Sequence, residues 1–91
     1  MTKWKEIEGD WWEGTVYEVS DDGRVRQCKE LTQSNLLSPK PRAYLRDASG
    51  TYRPRKVDQL VAEAFGVKVA NMNRIVHKDG DINNNRKENL A

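Results

Sequence analysis

The side chains of this 91-residue sequence that could do chemistry crowd into its last fifteen residues, where the only histidine, His77, is followed by Asp79, Asp81, Asn83, Asn84, Asn85 and Asn89. A histidine can take a proton from an attacking water, and carboxylates can hold a hard cation. Each also has a plainer reading. A lone histidine serves as a surface or capping residue, and two aspartates in a D-x-D turn are solvated carboxylates. Cys28 is the only cysteine, so no internal disulfide can form, and with one histidine no Cys/His zinc cluster can form either. The residues taken alone give no metal ligand set.

The second chemical feature is charge. The net charge is only +2, but it is unevenly distributed. Residues 1–22 carry two lysines against seven acids, residues 23–56 carry nine lysines and arginines against two acids, and the remainder balances. A basic middle suits a phosphate backbone, whose contacts supply most non-specific affinity for nucleic acid. The candidate DNA-binding residues are Arg24, Arg26, Arg42, Arg46, Arg53, Arg55 and Lys56. The plainer reading is a solvated surface of mixed charge. Within the acidic start, Trp11 and Trp12 are candidates for a protein interface, where tryptophan anchors are common, or for the core.

These residues need a scaffold, and the length allows one small domain over 1–91. Thr15–Ser20 alternates in hydropathy, Asp21-Asp22-Gly23 supplies a turn, and Arg24–Cys28 resumes the alternation, which predicts a β-hairpin. A second hairpin is expected where Ala43–Arg46 and Thr51–Arg53 flank Asp47-Ala48-Ser49-Gly50, with Pro54 favouring an edge. Ser34 to Pro41 reads as a loop. From Val57 the period changes: Val57, Leu60, Val61, Ala64 and Phe65 share one helical face, ended by Gly66. Leu60 and Phe65 are expected to be buried against the sheet. Short extended structure is expected at Arg74–Lys78, then a turn at Asp79-Gly80-Asp81. The expected core is Trp4, Trp11, Trp12, Tyr17, Val19, Val25, Leu36, Leu37, Tyr44, Leu45, Leu60, Val61, Ala64, Phe65, Ile75 and Leu90. No apolar run reaches the length of a membrane span, and the amino terminus lacks a signal peptide's apolar stretch.

Two stretches go beyond such patterns. Trp4-x-x-Ile7 followed by Tyr17-Glu18-Val19-Ser20-Asp21-Asp22-Gly23-Arg24-Val25-Arg26 resembles the amino-terminal module of phage-type HNH homing endonucleases, which reads Y-E-V-S-N-x-G-R-V-R. Val57–Phe65, then Val76-His77-Lys78-Asp79-Gly80-Asp81 through Arg86-Lys87-Glu88-Asn89-Leu90, resembles the HNH part of the same family. The resemblance implies an α+β fold: small antiparallel hairpins, one amphipathic helix and a truncated ββα-metal end. It divides the chain into a nuclease-associated module (1–30), a basic hairpin segment (31–56) and a truncated HNH-like region (57–91). It also implies catalytic roles, with His77 matching the general base and Asn89 the central asparagine, while a divalent metal stabilises the scissile phosphate.

The same comparison exposes departures. Val76 stands where the family has an aspartate or asparagine that can coordinate the metal, and the family's later metal-ligating helix lies beyond Ala91. His77 and Asn89 are therefore read as vestigial, with no cofactor unless the nuclease reading holds, when Mg2+ is required. Asp58 and Gln59 replace the family's histidine and arginine at the helix start, where Asp58 reads as a first-turn stabiliser. Three functions stay open. The first is an inactive HNH-like module that binds double-stranded DNA; the second, a phage-encoded inhibitor of a host protein such as a defence or nucleic-acid-processing enzyme; the third, an endonuclease completed by a partner or a longer chain. All three place the chain in the cytoplasm of an infected bacterium.

Overall fold

The computed structural model describes residues 2–27, 31, 33 and 40–91. Three short strands, β1 (Trp4–Glu6), β2 (Glu18–Ser20) and β3 (Val25–Arg26), form an antiparallel sheet in the order β1-β2-β3. Val19 pairs with both Lys5 and Val25 and is fully buried, as the alternation around it requires. The β2–β3 turn is fastened from inside. The buried Ser20 hydroxyl donates to the Asp22 carboxylate and accepts the Arg24 backbone N–H at 2.8 Å, and Gly23 takes φ +88°. That positive φ favours glycine.

A separate two-stranded ribbon joins β4 (Arg42–Arg46) and β5 (Tyr52–Lys56) through the expected Asp47–Gly50 turn. Asp47 makes the turn: its Oδ1 accepts the backbone N–H groups of Ser49 and Thr51 at 3.0 and 3.1 Å. Helix α1 (Val57–Phe65) begins directly after β5. It ends at Gly66 in the left-handed conformation (φ +65°), with Val67 N–H reaching the Ala62 carbonyl at 3.0 Å, a Schellman closure. Both boundaries match the sequence reading.

One core unites these pieces: Ile7, Tyr17, Val19 and Val25 meet Ala43 and Leu45, then Val57, Leu60, Val61 and Ala62, then Ile75 and Leu90. Several expectations need correcting. Tyr44 points outward, because it alternates with the buried Ala43 and Leu45 on β4. Phe65 is only half-buried, since the helix stripe sinks at Val57–Ala62 and its last turn emerges between the ammonium groups of Lys5 and Lys87, 5.3 and 5.7 Å from the ring centroid. Trp4, Trp11 and Trp12 are likewise half-buried. The extended tail is reduced to one bridge, His77 with Leu90. Asp58 is buried at the helix start, with Lys40 Nζ 3.3 Å from its carboxylate. Cys28, Leu36, Leu37 and most of the 34–41 loop lie outside the described residues. Among the described residues no helix is long and apolar enough to cross a membrane.

Candidate nucleic-acid interface and histidine corner

Register decides which basic residues act together. Directly paired residues of an antiparallel ribbon share a face, and the pairs here are Arg42 with Lys56, Tyr44 with Pro54 and Arg46 with Tyr52. The opposite face carries the buried Ala43 and Leu45. The outer face therefore presents three cations and two exposed tyrosines with no acid among them. Arg46 is held in place. Its Nε donates to the Gly50 carbonyl at 3.1 Å, and its guanidinium lies 4.3 Å from the Trp12 ring centroid and 5.5 Å from that of Tyr52. Trp12 in turn packs on the hairpin tip, close enough that a Cβ on Gly50 would stand 3.1 Å from its ring.

The other four predicted DNA contacts are not part of this face. Arg24 and Arg26 belong to the first sheet, where they pair with Asp22 at 3.1 Å and Glu18 at 2.9 Å while both guanidinium groups lie over Trp4. Burial raises the Asp22 carboxyl, but the Ser20 hydroxyl and Arg24 guanidinium outweigh it and hold it below the ordinary aspartate value. Arg53 and Arg55 sit opposite Leu45 and Ala43 and reach sideways to Asp47 at 2.6 Å and Glu63 at 3.5 Å. Such surface pairs are individually weak.

Neither tryptophan of the proposed protein interface is a free anchor. Trp11 donates its indole N–H to the Ile7 carbonyl at 3.0 Å and meets Tyr17 edge-on, with centroids 5.3 Å apart. It also bridges to Asp47, so the 10–14 loop is tied to the ribbon.

The histidine corner is built differently. Backbone hydrogen bonds between Val76 and Ala91 (2.9 Å each way) and from Lys78 to Asn89 (2.8 Å) fold the tail back on itself. His77, only 7% exposed, has its Nε2 2.7 Å from Oδ1 of Asn85, itself 2% exposed. The side chain of Asn89 bonds to the neighbouring loop. Its amide donates to Asp79 Oδ1 and the Asn84 carbonyl, both at 2.9 Å, and its Oδ1 accepts the Asp79 N–H at 3.1 Å. This binds the 79–84 loop closed. The Asn84 amide, the Asp81 N–H and the Asn89 amide together hold the Asp79 carboxyl below the ordinary range. Asn85 was missed by the sequence reading, because nothing in the polar run Asn83-Asn84-Asn85 marks which member turns inward.

A divalent cation does not fit these donors. Val76 offers no oxygen where one is wanted and is 60% exposed, and the Asp79 oxygens already accept from Asn84, Asn89 and Asp81. Among the described residues no three His, Cys, Asp or Glu side chains converge.

Comparison with known proteins follows this geometry. The NUMOD4 motif matches residues 3–56, the span of both hairpins. The fold is similar to that of I-HmuI, an HNH homing endonuclease solved in a study of DNA binding and cleavage, with 32% identity and a TM-score of 0.75 over 97% of this chain. The chain spans half the length of that protein. No curated protein matches it. With its motif matched over more than half its length and its α+β fold shared nearly end to end, the chain belongs to the NUMOD4-motif family and is related to the phage-type HNH homing endonucleases.

Proposed function

We propose that the chain is a double-stranded DNA-binding module that docks through the outer face of the β4–β5 ribbon, working in the cytoplasm of an infected bacterium. The observation that carries this is the acid-free face of Arg42, Arg46, Lys56, Tyr44 and Tyr52. A two-stranded ribbon fits the major groove, and an arginine already stacked on Trp12 loses less freedom on binding than a free one. Arg24, Arg26, Arg53 and Arg55 serve as secondary phosphate contacts, available after exchange with their acidic partners. The test is affinity for a duplex as salt is varied. Three phosphate contacts give a log–log slope of about −3, and all seven cations one nearer −6. A flat response sinks the proposal.

The His77 corner is proposed to be catalytically silent in this 91-residue chain. The ring is buried against Asn85, and the residue before it cannot ligate the metal that would stabilise the developing phosphate charge. Incubated with supercoiled plasmid and magnesium, the chain is expected to nick no more than its His77→Ala variant. Metal-dependent nicking lost in that variant would overturn the silent reading.

A further inference from the structure

We propose that the groove between β1 and helix α1 takes up an extended, basic segment of a partner protein as an added strand of the first sheet. Lys5 pairs with Val19, the Ile7 N–H donates to the Tyr17 carbonyl at 2.8 Å, and the Asp21 N–H donates to the Lys3 carbonyl at 3.0 Å. In an antiparallel ladder such residues turn their backbone groups towards the partner strand, and the residues between them turn theirs away. Trp4 and Glu6 are the residues between. Because β1 stands at the end of the order β1-β2-β3, their N–H and C=O groups face no strand among the described residues. An edge of this kind is a template on which another chain can pair.

Beside that strand lies a groove of about 340 Å³, with Glu6, Ile7 and Glu8 on one side and Leu60, Glu63 and Ala64 on the other. Ile7 and Leu60 give it an apolar floor, and three carboxylates stand around them. Among the described residues no cation pairs with Glu6 or Glu8, and Glu63 meets Arg55 at 3.5 Å. Lys5 also lines the groove, but its ammonium lies over the Phe65 ring, 5.3 Å from the centroid. Three carboxylates repel a phosphate backbone and attract lysine and arginine, so the occupant is cationic. The pleat then orders its residues. Glu6 alternates with the buried Ile7 along the chain, and directly paired residues of neighbouring strands share a face. An added strand therefore places basic side chains beside Glu6 and Glu8 and, between them, aliphatic ones over Ile7 and Leu60. None of these residues belongs to the ribbon's outer face, so the proposal does not rest on DNA binding there.

The probe is an acetylated, amidated octapeptide alternating lysine with valine, titrated into the nitrogen-labelled chain and followed by amide chemical shifts. Shifts are expected at Glu6, Glu8 and the facing turn of α1, with exchange of the Glu6 N–H slowed about tenfold or more in the complex. The same peptide with glutamate in place of lysine should not bind. A lysine–valine peptide N-methylated at alternate residues keeps its charge but loses the N–H groups that pair, and should bind about tenfold more weakly. Glu8→Lys combined with Glu63→Lys should weaken the parent peptide by about the same factor. Glu6→Pro should weaken it too, because it removes an outward N–H that an edge strand can spare; if that variant does not fold, the methylated peptide and the charge variant decide. Equal binding of the methylated peptide would reduce the groove to a charged patch and overturn the proposal. Absence of shifts at the groove would overturn it as well, leaving the charges of β1 only to keep other strands away.

Discussion

The β4–β5 ribbon and the His77 corner draw on similar polar side chains but spend them differently. On the ribbon, Arg42, Arg46, Lys56, Tyr44 and Tyr52 face outward, and Arg46 is oriented by aromatic rings rather than neutralised by an acid. In the corner, Asn85, Asn89 and Asp79 satisfy one another or the buried histidine, so few donors or acceptors remain for a ligand. A surface whose cations have no acidic partner is suited to binding an anion, whereas a network closed on itself is suited to holding shape. The fold is shared with the nuclease relative in both places, and among the described residues the ribbon face carries cations without acidic partners while the corner's polar groups bond to one another.

The contrast breaks most visibly if the shared core is disturbed. Leu60, buried in the shared core, should cost about 3 kcal/mol when replaced by alanine, and the half-exposed Phe65 about half as much. Urea unfolding measures both, and a larger loss at Phe65 would show that the helix is packed through its last turn instead of its first two.

A smaller effect should appear in acid. The Ser49 hydroxyl and Arg53 guanidinium lead the causes that hold the Asp47 carboxyl below its ordinary value of 3.8, and amide donors do the same for Asp79. A depressed carboxyl stabilises the fold at pH above its unfolded value and loses that contribution as pH falls through the folded one. Urea midpoints should therefore be insensitive to these groups at pH 5–7 and fall below about pH 4. Asp47→Asn should flatten that fall, and parallel curves for parent and variant would remove the turn from the account.

The smallest stability change is expected on the ribbon. Tyr52→Ala should move unfolding by no more than about 0.5 kcal/mol while weakening duplex binding about tenfold, because the ring is exposed and supports Arg46. A large stability loss with unchanged binding would reverse the assignment of the two regions.

Local signals were enough for much of this. The alternation around Val19, the Asp47–Gly50 turn and the 3.6-residue spacing from Val57 to Gly66 specify their elements through short-range backbone preferences, and those elements form where expected. The family resemblance likewise lay in contiguous residues. What the sequence could not determine depends on groups far apart along the chain. Strand register sorts seven similar basic residues into an outer face of three and four with acidic neighbours. A close approach between Gly23 and Asn85, sixty-two positions apart, selects one asparagine of three to hold the histidine. Periodicity says which way a side chain faces on its own element, but its partner is chosen only when the elements pack.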